Sequence, residues 1–272
     1  MGIFKRDNGL TEAKLRALIC SAIEVMHIEG SNKGYKAVMG LGLSKNIKKG
    51  PGFSLALLDR LAKGQDESLI SQEIFDHVIK KYQYEIIRGT FVPIGRQGLL
   101  ALNLPSNTPR FWESLTNNAN SNIDPFLSFL KGQDDGGAQL HNITLATLLK
   151  RIDYMVGEYL KTLRSLVVFG FSLDELAKID NLCAWDYGRA GFVAKKALSD
   201  GHIDKDKAWG YMLAAGNDVY AKYASWKQFL AAFFIGRCMV IGVDDIADYS
   251  DTIRFLMKNR KSPYKKYPLR TS

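Results

Sequence analysis

Asp186 and Arg189 stand three residues apart in the stretch AWDYGRAGF, and Arg237 is the lone charge inside FLAAFFIGRCMVIGV. On a helix, side chains three apart are neighbours, so Asp186 and Arg189 are placed to form an ion pair. Two chemistries suit such a trio. In one, Arg189 and Arg237 clamp a phosphate or carboxylate while Asp186 positions it or takes a proton, with Ser225 or Tyr187 contributing a hydroxyl. In the other, Arg189 is sunk among aromatic residues, and Asp186 or another acid neutralises a charge too costly to bury alone. The structural alternative is favoured, and Arg237 faces the same choice between an internal partner and a cavity.

Other chemistries find less support. Cys20, Cys183 and Cys238 are far apart with no C-x-x-C spacing, which reads as reduced thiols serving as small core residues. His27, His77, His141 and His202 are equally scattered, so no metal site is expected. GLGLSKNIKKGPG holds glycines and lysines but lacks the phosphate-loop spacing, and it reads as a basic loop; no cofactor is implied. DGHIDKDKAWGY lacks the ligand spacing and closing Glu of a calcium loop, and it reads as a turn between helices.

The elements that position these residues carry helical periodicity. In TEAKLRALICSAIEVM, Leu15, Leu18, Ile19, Ala22, Ile23 and Met26 predict one core-facing helix. FSLALLDRLAKG predicts a helix stopping at Gly64, and ESLISQEIFDHVIKKYQYEIIRG a longer one. ITLATLLKRIDYMVGEYLKTLRSL gathers Leu145, Leu148, Leu149, Ile152, Met155, Val156, Tyr159 and Leu163 on one face. Ser172 with Glu175, and Ser225 with Gln228, have capping-box spacing. Residues 184–212 form a helical hairpin. Its first helix is predicted to present Trp185, Arg189, Phe192, Val193 and Lys196 on one face and to end at Gly201. Asp204 caps the second, which is lined by Trp209, Met212, Leu213, Gly216, Val219, Tyr220 and Tyr223. A short hairpin or extended loop is expected near residues 90–104. KGQDDGGA at 131–138 suggests a boundary between an N-terminal helical region (1–135) and a C-terminal helical domain (139–257).

The run from Ala184 to Met239 resembles the core motif of an uncharacterised bacterial family, domain of unknown function 1266. The matching residues are Trp185, Asp186, Arg189, Gly201, Ile203, Ala208, Trp209, Ser225, Trp226, Gly236 and Arg237. The resemblance covers about residues 172–240. It implies a mainly helical bacterial domain and carries no established activity.

The chain has 272 residues, 46% of them hydrophobic and 24% charged, which fits a folded globular protein with a sizeable core. The fold class expected is mainly α, a multi-helix globular bundle. The longest apolar run is broken by Arg237, so no transmembrane segment is expected. The acidic residues near the N-terminus argue against a secretory signal, which points to the cytoplasm. Of the net charge of +9, six charges come from Lys258, Arg260, Lys261, Lys265, Lys266 and Arg270 in an acid-free tail, 258–272. With Tyr264 and Tyr267 interleaved, this tail reads as a solvated end. Its alternative role is to bind an acidic surface or nucleic acid through Tyr264, Lys265, Lys266 and Tyr267.

The leading functional reading is a non-enzymatic binding protein, an adaptor or immunity-type partner, with Trp185, Trp209 and Trp226 as further partner-binding candidates. The alternative is an enzyme or small-anion binder built on Asp186, Arg189 and Arg237, with Ser225 as a further catalytic candidate.

Overall fold

The computed structural model describes residues 10–41, 43, 54–80, 83 and 145–270, and every regular element among them is helical. The mainly α expectation holds. The hairpin expected near 90–104 and the boundary at 131–138 lie outside the described residues, as does most of the basic loop.

The N-terminal part begins with α1 (Glu12–Cys20) and α2 (Ala22–Glu29), where one continuous helix was expected. Ser21 separates them. Its hydroxyl donates to the Leu18 carbonyl at 2.9 Å, a local bond that competes with helix continuation. Gly30, with φ of 77°, leads into α3 (Ser31–Met39). Next comes α4 (Leu55–Lys63), capped by Ser54, whose hydroxyl accepts from the Leu57 N–H at 3.1 Å; it closes on left-handed Gly64, as expected. Finally α5 (Glu67–Ile74) runs into a π turn at Phe75–Ile79.

The C-terminal part contains α6 (Leu145–Val168), α7 (Leu173–Leu176), α8 (Ala184–Ser199), α9 (Lys205–Lys222), α10 (Trp226–Ile241), α11 (Asp245–Asp248), α12 (Ser250–Lys258) and α13 (Pro263–Lys266). The capping signals do the work expected of them. Ser172 and Glu175 form a full capping box. Asp204 accepts from the Lys207 N–H at 2.8 Å. After α8, Gly201 takes φ of 76°, and the His202 N–H reaches back to the Ala197 carbonyl at 2.8 Å, which closes a Schellman turn. Ser225 accepts from the Gln228 N–H, but the Gln228 side chain returns to the N–H of Ala224 rather than to that of Ser225.

Helix α8 is the hub, packing against α1, α2, α4, α5, α9 and α10. A helix touched on so many sides cannot present one simple face, and this corrects the predicted one. Phe192, Val193 and Lys196 are only half-buried, whereas Tyr187, Gly188, Ala190, Gly191, Ala194 and Lys195 are interior. The small residues permit close crossings. A Cβ on Gly191 would stand 2.7 Å from that of Ser21, at the break between α1 and α2. On α9 the expected face is buried at Trp209, Met212, Gly216 and Val219, while Tyr220 is 40% exposed. Helix α10 is interior along nearly its whole length, as the run FLAAFFIGRCM suggested.

The tail does not behave as a solvated end. Tyr264 and Tyr267 are buried, and Trp226 stacks on Tyr264 at 5.2 Å while its indole N–H donates to the Tyr267 carbonyl at 2.7 Å. The tyrosines that looked like ligand-binding rings are anchors, because burying them against Trp226 outweighs the repulsion of a few solvated lysines. Among the described residues no helix is long and apolar enough to cross a membrane.

Packing this close makes a testable distinction between glycines. A Cβ on Gly236 would meet the Leu182 carbonyl oxygen at 2.5 Å, whereas one on Gly210 would meet nothing within 4 Å. Gly236→Ala is expected to cost about 2 to 4 kcal/mol in urea unfolding. Gly210→Ala is expected to add about 0.5 to 1 kcal/mol by relieving the helix of a flexible residue.

Candidate functional site

Asp186 lies in the first turn of α8, where backbone N–H groups have no partner within the helix. Its own N–H donates to the Ser68 hydroxyl at 3.1 Å. Its carboxylate accepts from the N–H of Asp66 at 2.9 Å and of Ser68 at 3.2 Å. These are the N-terminal amides of α5, whose own N-cap residue, Asp66, makes no side-chain cap. The starts of two helices therefore satisfy each other. Asp186 is fully buried, and that burial pushes its pKa up to about 7 against the lowering effect of the backbone N–H bonds and of Arg189.

The ion pair expected between Asp186 and Arg189 is not formed. The Asp186 carboxylate is engaged by backbone amides, and Arg189 reaches across to α5, where it donates to Glu67 and lies 3.5 Å from Asp66. Asp66 is held in turn by Arg60 at 3.0 Å. Arg189 also lies over the ring of Trp185 at 4.9 Å. Arg237 approaches the same indole at 5.3 Å. It grips Asp245 with two N–H groups, Nη2 to Oδ1 being 3.0 Å, and stands 3.6 Å from Glu24, which also accepts the Tyr249 hydroxyl at 3.0 Å. Asp186, Arg189, Arg237 and Trp185 are thus one cluster, but two guanidinium groups meet the four carboxylates of Asp66, Glu67, Glu24 and Asp245. Another anion would enter a place already negative.

A second buried charge on α8 went unnoticed in the sequence. Lys195 has no exposed surface, and its ammonium donates to the carbonyls of Ala37 at 2.9 Å and Val38 at 2.7 Å, in the last turn of α3. Burial pulls its pKa down to about 7. Earlier on α8, the Tyr187 hydroxyl donates to Asp218 at 2.9 Å and accepts from Lys222. The cysteines are all buried and free, with burial pushing the thiols of Cys183 and Cys238 up to about 12. Among the described residues no group of His, Cys, Asp and Glu could hold a metal ion.

Four other sequence candidates converge elsewhere. Ser225, Trp226, Tyr264 and Lys265 border a cleft of about 190 Å³ between the start of α10 and the folded tail. Buried Trp226, Tyr264, Leu256 and Leu269 give it an apolar floor, and Lys227, Lys265 and Arg270 give it a basic rim. Lys227 is tied to Glu175 at 2.6 Å, and Arg270 donates to the Tyr220 carbonyl at 2.7 Å. Lys265 is exposed and pairs with no acid among the described residues. A hollow of about 140 Å³ adjoins the cleft, sharing Ala224, Ser225 and Lys227. Trp209 stands apart in a second core cluster with Lys14 over its ring at 4.9 Å, and Lys266 lies over Tyr35 and Tyr267. None of the three tryptophans offers an exposed ring, because the helices that carry them are packed on several sides.

The model of the family described as "Protein of unknown function (DUF1266)" matches residues 75–269, and the chain belongs to that family. The match begins downstream of Glu24, Asp66, Glu67 and Ser68, the N-terminal partners of the Asp186, Arg189 and Arg237 cluster. No curated protein and no solved structure matches the chain.

The two buried ions of α8 predict opposite pH slopes. A carboxyl raised to about 7 in the fold binds protons more tightly than in the unfolded chain, so Asp186 lowers stability as pH rises from the ordinary aspartate value of 3.8 towards about 7. An ammonium lowered to about 7 binds protons less tightly than in the unfolded chain, so Lys195 raises stability as pH climbs from about 7 towards 10.5. In urea melts, the stability of the wild type relative to Lys195→Met should increase between pH 7 and 10. A difference flat across that window would remove Lys195 as the source.

Proposed function

We propose that this is a non-enzymatic bacterial binding protein of the cytoplasm, an adaptor or immunity-type molecule that works by docking a protein partner. The observation that carries this reading is the closure of the polar cluster. Arg189 and Arg237 have carboxylates within the fold, and Asp186 is taken up by backbone amides, so the residues best suited to chemistry are already serving the architecture. The surface that remains for recognition includes the cleft at the start of α10, where apolar floor and basic rim coincide.

The rival reading is a small-anion binder acting through Arg189 and Arg237, and one experiment separates the two. Arg189→Ala and Arg237→Ala should each lower Tm by about 5 °C, since each leaves partly or fully buried carboxylates short of a counter-charge. Millimolar phosphate or citrate should shift wild type and variants alike. In the native cell, a photo-crosslinker placed at the cleft rim should trap a discrete protein adduct. A saturable stabilisation by phosphate that Arg189→Ala abolishes, with no protein adduct, would overturn the proposal.

A further inference from the structure

We propose that the cleft between the start of α10 and the tail receives an acidic segment of a partner protein, with one aromatic or large aliphatic side chain as its anchor. This rests on the reading of the molecule as a binding protein and adds the chemistry of what is bound.

Size and lining set the anchor. A dry cavity of roughly 150 Å³ lined by apolar side chains accommodates a benzene ring, and the cleft offers about 190 Å³ over Trp226, Tyr264, Leu256 and Leu269. Water held against such a floor has few hydrogen-bond partners, so its replacement by a side chain is favourable. The adjoining hollow, across the lip formed by Ala224, Ser225 and Lys227, has buried Phe171 and Ala231 in its wall and accepts a second, smaller apolar group from the same segment.

Charge sets the flanks. Among the described residues the cleft has three cations on its border and no acid; only Lys227 has an acidic partner there, Arg270 donating to the carbonyls of Tyr220 and Tyr223 and Lys265 meeting no carboxylate. Among the described residues Glu175 is the only acid bordering the adjoining hollow, where Lys178 and Lys227 also stand, and Lys227 neutralises it directly. Carboxylates on either side of the anchor would therefore meet rim ammonium groups, an arrangement that favours encounter and register.

Nucleic acid fits less well. Binding of single strands depends on exposed aromatic faces on which bases stack. Here Trp226 and Tyr264 spend their faces on each other, with rings nearly parallel at 8°, and both are buried. What the cleft presents outward is depth and positive charge, the pattern of a pocket for an anchor residue.

The test uses the full-length protein and a fluorescein-labelled peptide of about 12 residues with a central Phe flanked by Glu and Asp, a length that spans such a groove. Binding is read by anisotropy. Lys265→Glu should weaken it about fivefold and Lys227→Gln with Lys265→Glu about tenfold or more, both variants keeping the wild-type Tm; the loss should shrink at high salt. Replacing the peptide Phe by Ala should cost about tenfold or more. Equal binding of a peptide with Lys in place of the acids, affinity unchanged in both variants, or displacement of the peptide by oligouridylate would each overturn the proposal. If the rim variants leave the peptide untouched while photo-crosslinking still traps a protein, this inference fails and the binding-protein reading stands. If crosslinking traps nothing and phosphate stabilises through Arg189, that reading fails on its own account.

Discussion

The fold depends on one constraint: helices buried at their ends must still satisfy the backbone groups that end there. Helix α8 meets it for two neighbours at once. Near its start, Asp186 supplies a carboxylate to the N-terminal amides of α5. About two and a half turns later, Lys195 supplies an ammonium to the C-terminal carbonyls of α3. The signs are those the helix dipole requires, an acid at the positive end and a base at the negative end. Each charge would be costly to bury alone, and each backbone end would be costly to bury unmet. Together the two costs cancel in part, which explains why two ionisable side chains lie fully inside a helical core.

From that arrangement the rest of the cluster follows. With the Asp186 carboxylate committed to α5, Arg189 is free to neutralise Asp66 and Glu67 at the same helix start. Trp185 then forms an aromatic wall shared by Arg189 and Arg237, and Arg237 ties α10 to Glu24 on α2 and Asp245 on α11. Stacking on an indole suits a guanidinium, which is weakly hydrated and planar. The constellation that most resembled a catalytic centre is a clasp between distant parts of the chain.

Much of the architecture was legible in the sequence because its signals are local. Caps at Ser172, Ser225 and Asp204, the glycine stops at Gly64 and Gly201, and the apolar run of α10 each depend on residues within a turn or two. What was not legible is long-range. No spacing rule connects Ser68 with Asp186 or Ala37 with Lys195, and a helix buried on several sides, as α8 is, loses the one-faced periodicity on which sequence reading relies. The tail misled for a related reason. Its lysines are exposed as composition suggested, but Tyr264 and Tyr267 found Trp226, and a few aromatic contacts decided the position of the whole segment. In the candidate sites, the residue types were recognised and their partners were not. Asp186 and Arg189 stand out by type and spacing, yet the acids and amides that meet them are contributed by another region of the chain.

The most direct test of the clasp is residue-resolved amide hydrogen exchange in wild type, Asp186→Ala and Arg189→Ala. If Asp186 caps α5 from across the core, its removal lowers protection at Asp66, Ser68 and the turn that follows, while Arg189→Ala leaves those two amides protected. Unchanged protection at Asp66 and Ser68 in Asp186→Ala would contradict the account.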